Sequence, residues 1–134
     1  MISVTRRVRF SAARRLARAD WSHARNAQVY GRWSSPHGHD FALDVSVRGP
    51  VPRETGMVVD LKQLKQLIET RVVRHLDRCD LTEAALLEGR VATSENLVMA
   101  IWRLLSEPLA PGLELEQVTL HEGPFRSASC RGEP

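Results

Sequence analysis

Residues 41–48 (FALDVSVR) alternate apolar and polar side chains without a break, and this segment constrains the fold more than any other. Successive side chains of a strand point to opposite faces, so Phe41, Leu43, Val45 and Val47 share one face and Asp44, Ser46 and Arg48 the other. One face needs an apolar cover while the other meets water, which is the pattern of an antiparallel sheet. Residues 2–12 (ISVTRRVRFSA) repeat it with Ile2, Val4, Val8 and Phe10, interrupted at Arg6. Between the two, residues 15–36 hold no sustained period and read as a long excursion, a feature that is commonly functional in a compact domain.

The cover follows in the sequence. Gly49-Pro50 ends the second strand, and Asp60 has the chemistry of an N-cap for a 3.6-residue stripe of Leu61, Leu64, Leu67, Ile68 and Val72. A second helix starts at Thr93-Ser94-Glu95 and carries Leu97, Ile101, Leu104 and Leu105 until Pro108 stops it. Pro111-Gly112 marks a turn, residues 113–122 (LELEQVTLHE) read as a third strand and 126–131 (RSASCR) as a fourth. The order β-β-α-α-β-β predicts an α+β fold, an antiparallel sheet with two helices on one face, in a single domain over residues 1–134. Four strands covered on one side leave open edges, and closing several copies into a larger barrel removes them.

Composition excludes several classes. At 134 residues the chain can bury a core without covalent staples. No apolar run approaches the ~20 residues of a membrane span and the N-terminus lacks a signal-peptide core, so a cytoplasmic protein with no membrane partner is expected. Cys79 and Cys130 form no CxxC and read as incidental thiols. Residues 1–32 carry eight arginines against one acid, Asp20. Without a nucleic-acid motif or interleaved aromatics, a basic wall around a small anionic ligand explains that charge better than a nucleic-acid surface.

The chemistry concentrates in Ser35-Pro36-His37-Gly38-His39-Asp40-Phe41. Histidines at i and i+2 entering a strand point to the same side, so both imidazoles can reach one metal ion. They share the phase of Phe41 and Leu43 and therefore face inward. HxH alone is a weak motif, as easily met by packed histidines.

The wider set is more specific. Phe10-Ser11-Ala12-Ala13-Arg14-Arg15-Leu16, Tyr30-Gly31-Arg32-Trp33-Ser34-Ser35-Pro36-His37-Gly38-His39, Gly56-Met57-Val58-Val59-Asp60-Leu61, Leu76-Asp77-Arg78, Thr93-Ser94-Glu95-Asn96-Leu97 and His121-Glu122 occur in this order. Together they resemble the 6-pyruvoyl-tetrahydropterin synthase / 6-carboxytetrahydropterin synthase family over nearly the whole chain. The resemblance implies a tunnelling fold, trimeric barrels commonly stacked as hexamers, and binding of 7,8-dihydroneopterin triphosphate at subunit interfaces. It further implies zinc held by three histidines, a cysteine base assisted by an Asp-His pair, and a glutamate that anchors the pterin ring.

Carried over residue by residue, His37 and His39 fill two metal positions and the third is Arg14. Trp33 stands at the cysteine, Asp77 keeps the acid, and Arg78 replaces its histidine partner. Glu122 keeps the pterin anchor, with Thr93 and Ser94 intact beside it. Arginine offers donors and a positive charge but no lone pair for zinc, and tryptophan has no titratable proton. Loss of a general base typically costs ~10²–10⁴ in rate. His23, in the excursion, is a possible third metal ligand or an exposed loop side chain; Cys79 is a displaced thiol or a buried, inert one. His121 would face the opposite side of an ideal strand.

These substitutions leave three readings. The first is a lyase or cyclase on a pterin or other small anionic heterocycle. In it Arg14 and Arg78 clamp the anionic arm, Trp33 stacks on the ring or closes the pocket floor, Asp77 carries protons, and no cofactor is expected. The second is a non-catalytic pterin-binding homologue. The third is a zinc-dependent synthase with a recruited ligand.

Overall fold

A strand continues for as long as its alternation holds, and both N-terminal strands run further than their cleanest stretches. In the computed structural model, which describes residues 1–107 and 109–132, β1 spans Ile2–Arg14 and β2 spans His37–Gly49. Pro108, the expected helix stop, lies outside the described residues. Two further strands, β3 (Glu114–Glu122) and β4 (Ser127–Cys130), complete an antiparallel sheet of order β1-β2-β3-β4. The register pairs Phe10 with Phe41, Ala12 with His39, Arg14 with His37, and Phe41 in turn with Glu122. Directly opposite residues share a face, so these side chains converge at one end of the inner surface.

The excursion is not all loop. It contains α1 (His23–Tyr30), capped by Ser22, whose hydroxyl accepts the Arg25 N–H, and then a single turn of 3₁₀ helix at Gly31–Ser34. The expected two-helix order therefore gains a helix between the first two strands. Of the α1 side chains only Asn26 is buried, so the helix lacks the apolar stripe that periodicity detects. Local bonds hold it instead. Asn26 accepts from the Arg18 N–H and donates to the Arg18 carbonyl, and Trp21 stacks on Tyr30 and under the Arg25 guanidinium.

Asp60 caps α2 (Leu61–Ile68), which continues through a π-helical turn (Glu69–Val73) into α3 (Arg74–Leu76). Leu64, Ile68, Val72, Val73 and Leu76 are buried, whereas Leu61 is exposed and off the packed stripe. Thr93 caps α4 (Ser94–Ser106), which buries Leu97, Val98, Ile101 and Leu105. These helices cover Val8, Phe10, Leu43, Val45, Val118 and Leu120 on the inner sheet face. The outer face is polar and cross-linked: Arg7 donates twice to Asp44 (2.7 and 2.9 Å), and His121 meets the same carboxylate at 3.0 Å. His121 is thus on the far side of the sheet from the inward histidines. Among the described residues no helix is long and apolar enough to cross a membrane.

After α3 the chain folds against the outer edge of β1. The Asp77 carboxylate accepts the Ser11 N–H (3.0 Å), the Arg78 N–H donates to the Ser11 carbonyl (2.6 Å), and the Ala13 N–H donates to the Cys79 carbonyl. Arg78 adopts a left-handed backbone (φ 59°), uncommon for a residue with a Cβ.

Candidate functional site

The inner ends of β1, β2 and β3 meet the N-terminus of α4 around Arg14. This guanidinium is 4% exposed. One terminal nitrogen donates to the Ala92 carbonyl (3.1 Å) and the Ser94 hydroxyl (3.2 Å). The other donates to Glu122 Oε2 in a short ion pair and lies 3.5 Å from His39 Nε2. Its carbon lies 5.4 Å from the Phe41 ring centroid. Ser94 also donates to Glu122 Oε2 (2.9 Å), and Arg126 approaches Oε1 at 3.4 Å. Burial works to raise the Glu122 pKa, but the Arg14 and Ser94 hydrogen bonds and the charges of Arg14 and Arg126 outweigh it and hold the carboxyl below its ordinary value. His39 is pushed down by burial first and by the Arg14 charge next, against the opposing pull of Glu122, so its ring is neutral near pH 7.

His37 Nδ1 lies 2.9 Å from the Ser35 carbonyl, which only accepts, so that nitrogen carries the proton. Its Nε2 and the Arg14 Nε are buried without a hydrogen-bond partner. Trp33 sits edge-on to His37 (4.9 Å) and tilted over His39 (6.1 Å). The Arg32 and Arg126 guanidinia lie 4.7 and 5.1 Å from the Trp33 ring centroid.

A cavity of about 280 Å³ opens here, walled by Arg14, Tyr30, Trp33, His39, Glu122 and Arg126, with Thr93, Ser94 and Glu95 at the helix end. That volume is near the lower end for small-ligand sites, about 300 Å³. Arg14, Trp33, His39, Thr93, Ser94 and Glu122 are therefore brought together. Asp77 and Arg78 are not: within one chain neither lines this cavity. Arg78 borders an adjoining space of about 530 Å³ with Cys79, Asp80 and Gly38. A clamp of Arg14 with Arg78 is thus not formed inside one chain, because the two side chains line different cavities. His23 opens α1 on the exposed surface, and among the described residues no three or more His, Cys, Asp or Glu side chains gather to hold a metal. The residues do not fit a tetrahedral zinc ion. Arg14 puts a buried positive charge and N–H donors between His39 and Glu122, and a guanidinium there both occupies the space and repels a divalent cation.

Sequence reasoning passed over Arg126 and Tyr30. The signal for Arg126 was available, since Gly123-Pro124 predicts a tight turn that returns residue 126 to the side of Glu122. The Glu122 N–H indeed donates to the Arg126 carbonyl (3.0 Å).

A four-stranded antiparallel sheet with its helical cover, and a carboxylate at the end of the third strand sharing a cavity with His39, define an α+β protein of the tunnelling-fold class. The chain belongs to the 6-pyruvoyl tetrahydropterin synthase family, whose profile matches residues 3–133. It is 36% identical over 132 residues to the 6-pyruvoyl tetrahydrobiopterin synthase of Drosophila melanogaster, covering 96% of this chain and 79% of that protein. The Dictyostelium discoideum protein of the same name is 33% identical over 135 residues, covering 98% of this chain and 97% of its own. The solved structure of Caenorhabditis elegans 6-pyruvoyl tetrahydropterin synthase superposes with a TM-score of 0.90 at 30% identity, covering 98% of this chain and 96% of that one.

Proposed function

We propose that this is a divergent 6-pyruvoyl-tetrahydropterin synthase-like lyase or cyclase, acting on a pterin or another small anionic heterocycle at a metal-free site. The observation that carries the reading is the Arg14 guanidinium lodged between Glu122, Ser94 and His39, in the position where the family resemblance puts the third zinc histidine. Glu122 anchors the ring through its carboxylate and Trp33 offers an aromatic face beside it. Arg14 is a fixed positive charge that stabilises negative charge developing on a bound ligand without any metal. Asp77 and Arg78, on the β1 edge, serve a site completed by a neighbouring copy. This assembly is a trimer or hexamer of a cytoplasmic protein.

Two measurements on untagged protein test the reading: metal content by elemental mass spectrometry, and triphosphate release from 7,8-dihydroneopterin triphosphate. We expect no stoichiometric zinc in the native chain and about one zinc per chain in Arg14→His, which adds a third imidazole to the face of His37 and His39. One zinc per native chain together with zinc-dependent triphosphate release would establish the retained synthase instead. Saturable pterin binding with no turnover of any heterocycle would leave a binding homologue, the reading favoured if Asp77 meets no partner cavity in the assembly.

A further inference from the structure

We infer that Arg126 is a displaceable plug in the ligand cavity, a guanidinium of this chain that stands where a planar amidine- or guanidine-edged heterocycle binds. The inference rests on the reading of Glu122 as ring anchor and names what controls access to it.

The two oxygens of Glu122 are not equivalent. Oε2 is committed to the buried Arg14 and to the Ser94 hydroxyl, and neither donor can leave without exposing a buried polar group. Only Oε1 remains for a ligand, and the side chain approaching it is Arg126, at a long 3.4 Å. The same guanidinium lies over Trp33 at 5.1 Å from the ring centroid. A carboxylate oxygen and an aromatic face are the two features that recognise a flat ring bearing an N–H edge, and a guanidinium satisfies both at once because it is itself planar, N–H-bearing and stackable. Arg32 also lies over Trp33 but does not wall the cavity.

Arg126 is built to move where Arg14 is not. Its side chain is 54% exposed against 4% for Arg14. Its backbone is pinned by the Glu122 N–H bond across the Gly123-Pro124-Phe125 turn, so displacement needs only side-chain rotation. The contacts that hold it, one exposed cation–π pair and one long ion pair, are individually weak, and together they set a modest competition with ligand, about five- to tenfold in affinity.

A residue that merely helps to bind would weaken binding when truncated, whereas a plug strengthens it. Isothermal titration of the full chain with pterin (2-amino-4-oxopteridine) is expected to give about five- to tenfold tighter binding for Arg126→Ala than for the native chain. Arg126→Lys, which keeps the charge and loses the planar group, should lie between them, and Arg126→Gln repeats the test with less change in volume. Methylguanidine, the bare plug, should bind Arg126→Ala and not the native chain. Equal or weaker pterin binding by both Arg126→Ala and Arg126→Gln overturns the plug. If pterin binds no variant, methylguanidine decides: binding by Arg126→Ala alone upholds the plug while the pterin reading of the cavity fails, and binding to neither protein overturns the plug.

Discussion

Arg14 shows how one side chain resets a site. Its position in the phase of Phe10 and Ala12 was legible from alternation, whereas its place at a zinc position came only from the family resemblance. What alternation cannot say is where the guanidinium ends. Glu122 is two strands away, across β2 and opposite Phe41 rather than His37, so their meeting depends on register and on the reach of an arginine over roughly two inter-strand spacings. Removing Arg14 strips the mostly buried Glu122 carboxylate of its closest counter-charge, leaving it the Ser94 hydroxyl and the long Arg126 contact, and empties the space of a buried side chain. Arg14→Ala should therefore lower unfolding stability by about 3 kcal/mol, read as a lower urea midpoint at unchanged slope. The same cluster makes stability fall with acid. His39 has a folded pKa below its ordinary 6.5, so the unfolded chain binds the extra proton first; the contribution is complete above 6.5 and is lost as pH falls through the folded value. Glu122 has a folded pKa below its ordinary 4.5, so its contribution is complete above 4.5 and disappears further into acid. Urea midpoints followed from pH 8 to about pH 2.5 should decline on the acid side, and His39→Gln should remove the upper step while leaving the lower one.

At the scale of elements, the amphipathic pieces were readable and the locally bonded ones were not. Strands 1 to 4 and the helices after Asp60 and Thr93 appear where alternation and capping residues place them, with β2 beginning four residues early because His37 and His39 extend the inner phase. The π-helical turn at Glu69–Val73 has no signature in a 3.6-residue pattern, and it shifts the stripe so that Val72, Val73 and Leu76 are all buried. Helix α1 escaped for the opposite reason, since nothing apolar repeats in it. Its dependence on Asn26 is testable. Asn26→Ala removes both bonds to Arg18, and hydrogen exchange measured by mass spectrometry should accelerate over residues 18–34 while the amides of β2 and β3 keep their protection.

For the whole molecule, the sheet ends on two edges, β1 and β4. Residues 77–80 cover only the C-terminal part of β1, around Ser11 and Ala13. Exposed strand edges are normally paired or blocked. Edge-to-edge closure predicts a trimer or hexamer by sedimentation velocity, and a monomer at micromolar concentration would remove the interface site from the proposal. The antiparallel sheet and its one-sided cover were legible because each follows from a local pattern; the family resemblance supplied Arg14, Trp33, His39, Thr93, Ser94 and Glu122, but their mutual contacts and the places of Tyr30 and Arg126 depend on which strands become neighbours. One side chain then carries an architectural consequence. His39 is the single residue common to the walls of the Glu122 cavity and the Arg78 cavity. Its imidazole borders both the space beside Glu122 and the space beside Arg78, so a change in that one ring reshapes two compartments at once, and trimming it to a methyl group would widen both.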